Sequence, residues 1–309
     1  MGAEEQAVRS EFLFCYDARM SNPNGDPDEN RPRVDLLTKR NLVTDVRLKR
    51  TIRDYLWKRE NQKIFIRTEI DEKGNFKRID DLGAPYIKDK KVDSERLLKE
   101  HIDVRLFGIL FPVEDVSFKR VGPIQFGIGQ SLNPVEEISI RITRVVPTKK
   151  EAQAGTFGEK FVLRYSFIVF HGFLNDAAAK ETGLTENDVS LMMRAMWHGT
   201  TNLSTTSKYG QQPRLLLRLR YKEPLGYIGD LDRRVGLSPV PPLTDLTKVE
   251  DISQIALEVT RLSSTIDSNV SALSGIDFIE SPELLCANGT QKGKFSEVFT
   301  KKVSLNRLS

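Results

Sequence analysis

The residue types that could do chemistry are concentrated in one early stretch of the chain. Residues 22–35 carry the acidic side chains Asp26, Asp28, Glu29 and Asp35 among prolines and asparagines. Carboxylates at this spacing could gather a divalent cation or shift one another's pKa values. The same residue types also favour a rigid turn in which side-chain oxygens accept hydrogen bonds from nearby backbone amides. We expect the turn, and a cation site or a catalytic carboxylate among these four residues is the alternative.

The remaining inventory for catalysis is small. His101, His171 and His198 lie far apart in the sequence, in three different predicted elements, so we expect packing or surface histidines. The chain has no phosphate-loop motif, no nucleophile elbow and no His/Cys run with metal-ligand spacing. Its two cysteines, Cys15 and Cys286, provide neither a disulfide framework nor a thiolate metal site. We therefore expect a protein that is not an enzyme and needs no metal or cofactor.

Basic side chains, by contrast, follow a predicted helix over residues 44–59. Thr44 has the residue type of an N-cap, Asp45 suits the first turn, and apolar residues then recur at helical spacing. The cationic side chains left on the other sides are Arg47, Lys49, Arg50 and Arg53. They form either a solvated helix surface or a surface for a polyanion.

Two further segments carry groups that suit phosphate and sugar. Residues 121–131 contain three glycines together with Gln125, Gln130 and Ser131, which could donate hydrogen bonds to a nucleic-acid backbone. The alternative for this segment is a bulged strand with tight packing. Residues 200–214 form a hydroxyl-rich loop that leads to Lys208 and Arg214.

Composition indicates an ordinary globular protein. The 309 residues are 39% hydrophobic with a formal net charge of +4, and residues 223–309 are acidic, with 9 Lys/Arg against 12 Asp/Glu. No apolar run approaches a membrane span, and the acidic N-terminus is unlike a signal peptide. We expect a cytoplasmic location.

The predicted elements follow a recognisable order. A strand over residues 11–16 precedes the helix, two strands follow at 138–143 and 161–173, and a helix starts at Thr185 and ends at Gly199. A last strand covers 214–221, so the order is βα, insertion, ββ, αβ. This order is typical of an α+β, ferredoxin-like or RRM-like βαββαβ domain.

Three further regions surround that domain. Residues 60–135 form the insertion, with a hairpin turn at 73–75 and a helix from Asp93 through Ile102. Residues 147–160 are too long for a tight turn and too polar for a core, so we expect a protruding hairpin with Phe157 near its tip. In the acidic tail an apolar stripe from Leu246 to Ile266 predicts one long helix.

Several motifs resemble a known family. Asn-Pro-Asn-Gly-Asp-Pro at 22–27, Arg-Pro-Arg-Val-Asp at 31–35 and the basic helix at 43–56 resemble the crRNA-binding backbone subunit of the type I CRISPR Cascade complex, subtype I-B (Csh) branch. Segments at 103–108, 122–126, 131–137, 155–158, 171–173 and 207–216 agree in order. The resemblance covers about residues 11–222.

The resemblance implies a hand-shaped subunit. Residues 11–59 and 136–222 would be an RRM-like palm with the hairpin 147–160 as its thumb, 60–135 would be fingers, and 223–309 a helical extension. Such subunits stack head-to-tail along the crRNA and present it for pairing with target DNA. Their other partners would be a large subunit, a subunit that binds the crRNA 5'-handle and a crRNA-processing endonuclease.

These patterns and the resemblance together predict a set of RNA-binding residues. They are Asn22, Asn24, Arg33, Arg47, Lys49, Arg50, Gln125, Gln130, Ser131, Thr156, Phe157, Ser207, Lys208 and Arg214. Two alternatives stay open: a ribonuclease that uses Asp26, as in related type III subunits, and an RRM-like protein-interaction module.

Overall fold

The computed structural model describes residues 5–89, 91–113, 116–143, 157–300 and 302–308, which form a mixed α+β fold. The strands of this described part are β1 (Ser10–Ser21), β2 (Arg40–Val43), β3 (Ile87–Lys88), β4 (Lys91–Val92), β5 (Gly108–Val113), β6 (Val116–Val121), β7 (Ile124–Phe126), β8 (Gly129–Pro134), β9 (Glu137–Thr143), β10 (Phe157–Leu174), β11 (Gln211–Tyr221), β12 (Gly236–Pro239), β13 (Ile255–Glu258), β14 (Leu273–Glu280), β15 (Cys286–Asn288), β16 (Gln291–Gly293) and β17 (Leu305–Arg307). Its α-helices are α1 (Asp45–Glu60), α2 (Ile79–Gly83), α3 (Ser94–Glu100), α4 (Ile102–Phe107), α5 (Asp176–Thr182), α6 (Glu186–Thr201), α7 (Thr260–Ser268) and α8 (Phe295–Val298).

The principal sheet is built around β1. Its strand order is β17-β14-β11-β1-β10-β8-β2, and β7 and β9 also pair with β10. β1 runs antiparallel to both β10 and β11. Phe12 and Phe14 belong to the core on one side of β1, whereas Leu13 and Cys15 belong to the core on the other. Because successive side chains point to opposite faces, both faces of the sheet are buried.

Helices α1 and α6 belong to the first of these cores, much as the sequence predicts. Leu48, Ile52 and Leu56 of α1 are buried, and Thr185 and Asp188 form the predicted capping box of α6. The prediction that Gly199 ends α6 is wrong, because the helix continues to Thr201. A Cβ at Gly199 would lie 3.2 Å from the carbonyl oxygen of Thr51, so the glycine allows α6 to approach α1 closely.

The acidic tail covers the other face of the sheet. β14 pairs with β11, and the apolar stripe from Leu246 to Ile266 packs into the second core. The prediction of one long helix here is wrong, since the stripe is divided among two 3-10 turns, β13 and α7. Asp251 accepts a hydrogen bond from the Ser253 backbone N–H at 3.0 Å and begins one of these turns. Local capping and β pairing therefore override the helical spacing.

The inserted region has a small core of its own, formed by Phe65, Tyr86, Leu97, Val104 and Ile109. The predicted turn is present, with a bridge that joins the residues on either side of 71–75. The helix predicted from Asp93 is two helices, α3 and α4, which meet at His101. His101 has extended backbone angles there, and a helix cannot pass through such a residue.

The predicted hairpin begins as expected. β9 and β10 pair antiparallel from the Leu163–Glu137 pair to the Phe157–Thr143 pair. Residues 144–156, which include Thr156 and most of the predicted thumb, lie outside the described residues, and only the backbone of Phe157 is described.

Candidate nucleic-acid interface

Three segments that are far apart in the sequence meet at one end of the principal sheet. The backbone N–H of Asn22 donates to the Ser207 carbonyl at 2.8 Å, and the Lys208 ammonium donates to the Asn22 carbonyl at 2.6 Å. From the base of the β9–β10 hairpin, the Lys160 ammonium donates to the Thr206 carbonyl at 2.6 Å. We refer to residues 20–35, 137–143, 157–163 and 203–210 as the loop junction.

The acidic part of the loop junction is a structured turn. Asp26 accepts hydrogen bonds from the backbone N–H groups of Asp28, Glu29 and Arg31 at 2.8–3.0 Å. The hydrogen bond from the Glu29 amide, followed by those from its neighbours, lowers the pKa of Asp26. Both carboxylate oxygens already have backbone donors, which confirms the prediction of a turn.

Arg31 joins the turn around Asp26 to the hairpin formed by β9 and β10. The Arg31 guanidinium lies 4.7 Å from the centre of the Phe161 ring and forms an ion pair with Glu137. None of these three residues was among the predicted site residues, although Arg31 lies within the Arg-Pro-Arg motif. The pairing partner could not be identified from sequence, because it is 106 residues away.

Asn24 fixes the start of helix α1. Its side-chain oxygen accepts hydrogen bonds from both the backbone N–H and the hydroxyl of Thr44, at 2.9 and 2.8 Å. Thr44 is at the N-cap position, as predicted, but its hydroxyl does not cap the helix. The contact brings the first turn of α1, and with it Arg47, to the loop junction.

Arg47 and Lys208 are two partly buried cations, and we call them the cation pair because the charge of Arg47 acts on Lys208. Burial, followed by the nearby positive charge of Arg47, lowers the pKa of Lys208 to about 8. Burial also lowers the pKa of Arg47. Among the described residues neither cation has a carboxylate at ion-pair distance. An anion bound between them would relieve both the repulsion and the desolvation.

Two further predicted residues at the loop junction have buried polar atoms without partners in the described part of the chain. The side-chain oxygen of Asn22 is one, and the Nε of Arg33 is the other. Buried polar atoms are usually satisfied, so such atoms often mark a place where a ligand or water completes the hydrogen bonds. Ser207 is half-buried and contributes its backbone carbonyl.

Other predicted residues have partners within the protein. Lys49 is only 8% exposed and donates to Asp45 at 3.0 Å and to Gln125 at 3.3 Å. Arg50 is exposed and pairs with Asp54 at 3.0 Å. These groups lie on α1 and the neighbouring β7, so the helix carries fewer free cations than its sequence suggests.

Ser131 and Gln130 lie in β8 beside the edge of the sheet. Ser131 is fully buried, and its hydroxyl accepts from the Asn41 amide at 2.9 Å and donates to the Asn133 carbonyl at 2.7 Å. The predicted RNA contact of Ser131 therefore has no support in this structure, because the residue has no exposed surface. The Gly-rich segment is tightly packed, as in the alternative that we gave, since a Cβ at Gly129 would lie 2.3 Å from the Phe170 ring, but it belongs to two strands, β7 and β8, rather than one.

The arginines of β11 are engaged in ion pairs. Arg214 forms an ion pair with Asp17 at 2.9 Å. Arg218 forms an ion pair with Glu186, and the Arg218 side chain is buried. Arg220 forms an ion pair at 3.1 Å with a carboxylate of β14. The predicted role of Arg214 in RNA binding therefore has less support than that of Lys208, since its charge is already balanced within the protein.

Two further findings concern sites of other kinds. Within the described ranges, no group of three His, Cys, Asp or Glu side chains could hold a metal ion. No helix in the described part of the chain is long and apolar enough to cross a membrane.

Comparison with known proteins gives consistent matches. The profile of the family described as CRISPR-associated protein Cas7 matches residues 8–260. A CRISPR-associated protein Cas7 of Haloferax volcanii is 32% identical over 286 residues, which covers 84% of this chain and 83% of the relative. Among solved structures, a chain of a CRISPR RNA-guided surveillance complex in a pre-nicking state superposes with a TM-score of 0.56 at 14% identity, covering 98% of this chain and 96% of that one. A second such chain superposes less closely, with a TM-score of 0.48, 14% identity and coverage of 96% and 94%.

Proposed function

The chain belongs to the CRISPR-associated Cas7 family, and we propose that it is the crRNA-binding backbone subunit of a CRISPR surveillance complex. The observation that carries this proposal is the cation pair at the loop junction. Arg47 and Lys208 come from segments about 160 residues apart in the chain, and among the described residues neither has a carboxylate at ion-pair distance, although the charge of Asp54 acts on Arg47. Phosphate groups of a single strand are the ligands that suit such a site.

The palm that we propose is the part of the principal sheet formed by β11, β1, β10 and β9, with α1 and α6 on one face. The strand order supports an RRM-like arrangement, because the last strand lies beside the first and the first lies beside the third. In an ordinary RRM the open face of the sheet stacks bases. Here the acidic tail covers that face, so we propose that RNA is bound at the end of the sheet instead.

The finer features of the family assignment are proposals as well. We propose that residues 60–135 act as fingers and 147–160 as a thumb, and that copies stack head-to-tail along the crRNA in a type I-B complex. The crRNA would then be presented for pairing with target DNA, alongside the large subunit, the 5'-handle-binding subunit and the processing endonuclease. Such a complex would act in the cytoplasm.

We propose that this subunit does not cleave RNA itself. A general base must reach the proton that it removes, and the Asp26 carboxylate already accepts three backbone hydrogen bonds. Its lowered pKa also makes it a weaker base. The ribonuclease alternative therefore has no geometric support at this residue.

The test is binding of single-stranded RNA by the double variant Arg47→Ala, Lys208→Ala. We expect affinity for all RNA sequences to fall alike, and the slope of log K against log salt to become shallower by about 0.7 for each phosphate that the variant no longer neutralises. The matched control is Arg194→Ala, which removes an exposed arginine from α6 whose partner is Glu60. Unchanged affinity and slope in the double variant, or an equal loss in the control, would contradict the proposal.

A further inference from the structure

The end of the principal sheet that carries the loop junction also has a cleft. This cleft lies on the face of the sheet opposite to the cation pair. The strand β11 begins with Gln211, which lies beside Arg47, and continues with Gln212, which lines the cleft. Consecutive residues of a strand point to opposite faces, so the two sites lie on either side of the sheet's end. The loop 207–210 crosses between them.

The cleft has room for a small planar group and a lining that suits one. Its volume is about 790 Å³, and its rim includes Tyr209, Met20 and Gln212. The buried wall includes Asp17 and Tyr165, and the Tyr165 hydroxyl donates to Asp17 at 2.8 Å. An aromatic ring and a thioether beside polar groups that are fixed in place are typical of small-ligand sites.

The rim residues are free to engage a ligand. Tyr209 is 76% exposed and Met20 is 45% exposed, and the described residues provide no hydrogen-bond partner for the Tyr209 hydroxyl or the Gln212 amide group. A large exposed aromatic side chain leaves apolar surface in water, and a flat ligand would cover that surface.

The backbone holds this rim in place. The Tyr209 N–H donates to the Thr205 carbonyl at 2.9 Å, and the Arg19 N–H donates to the Gly210 carbonyl at 3.0 Å. Gly210 has a φ of +92°, and a Cβ there would lie 2.5 Å from the Arg19 carbonyl oxygen, so only glycine fits. Met20 itself has a φ of +48°. Strained backbone of this kind clusters at functional sites.

We propose that this cleft binds a nucleobase, which stacks on Tyr209, of the same single strand whose phosphate is held by the cation pair. The inference rests on the proposed function and adds a base site to its phosphate site. A base is flat, largely apolar on its faces and polar at its edges, which matches Tyr209 and Met20 as walls and Gln212 as the edge contact. The cleft also contains carboxylates, and each has an arginine partner: Asp17 and Glu283 share Arg214, and Asp251 pairs with Arg19.

The test uses short single-stranded RNA carrying one 2-aminopurine, titrated against Tyr209→Ala and Tyr209→Phe. We expect Tyr209→Ala to weaken binding by about 5- to 150-fold, the range for loss of one stacked base, and to reduce the fluorescence quench of 2-aminopurine. Tyr209→Phe should restore both, because it keeps the ring. The salt slope should be unchanged in Tyr209→Ala, since this variant neutralises as many phosphates as the wild type.

The control is Phe76→Ala, which removes a similarly exposed aromatic ring from the inserted region. An equal loss in this variant would overturn the assignment of the base to Tyr209. The base site is also wrong if Tyr209→Ala binds normally while the cation-pair variant is impaired, and the proposed function then stands. If neither variant is impaired, both proposals fail.

Discussion

Lys208 offers the most informative perturbation, because its charge is costly to the folded protein. Its pKa of about 8 lies below the ordinary 10.5. At ~1.4 kcal/mol for each pKa unit, the protonated form costs at most about 3.5 kcal/mol of folding stability. Lys208 is half-buried, so solvent screening reduces this to roughly 2–3 kcal/mol. Lys208→Met removes the charge but also the hydrogen bond to the Asn22 carbonyl, worth ~1 kcal/mol.

We therefore expect Lys208→Met to be more stable than the wild type by about 1–2 kcal/mol at neutral pH, measured by urea unfolding, and to bind RNA more weakly. The sign should change with pH. Because the folded pKa is lowered, the cost is fully present below about pH 8 and disappears as the pH rises toward 10.5. Above that value only the missing hydrogen bond matters, and the variant should be the less stable protein.

The matched control is Lys160→Met. Lys160 also donates to a backbone carbonyl at 2.6 Å, but in a more exposed setting. It should lose a little stability, because the hydrogen bond to the Thr206 carbonyl is removed. A Lys208→Met variant that is less stable than the wild type at neutral pH, with a difference that does not vary with pH, would refute the reasoning.

Three other predictions concern the turn, the hairpin and the ion pairs. Asp26→Asn should keep RNA affinity within a few-fold of the wild type. Wild-type protein loaded with guide RNA should leave labelled complementary RNA intact in the presence of Mg²⁺. Periodic cleavage products that vanish in the variant would favour the ribonuclease alternative. Replacing residues 147–160 by a Gly-Ser linker should hardly change the melting temperature. It should abolish the assemblies that lengthen with the RNA, as measured by light scattering. A large drop in melting temperature would instead place the segment in the core. Arg218→Ala should cost about 3–5 kcal/mol in urea unfolding, because Glu186 loses its arginine partner. A native-like stability would show that this ion pair contributes nothing.

The sequence by itself determined the elements whose signals are local. Helix α1, the capping box of α6 and the alternation in β9 depend on neighbours within a few residues, and they form as predicted. The turn around Asp26 was predictable for the same reason, since its donors are two to five residues away. Residue types also placed Lys208 and Arg47 among the candidates for RNA binding.

Tertiary structure decided which of those candidates keep a free charge. Arg214 looks as basic as Lys208 in the sequence, yet Asp17 neutralises it and no acidic residue in the described part of the chain reaches Lys208. A pairing between residues almost two hundred positions apart leaves no local trace in the sequence. The apolar stripe from Leu246 to Ile266 failed as a helix prediction for a related reason. Burial against the sheet requires apolar residues in sufficient number, and strands, 3-10 turns and a short helix bury them as well as one long helix would.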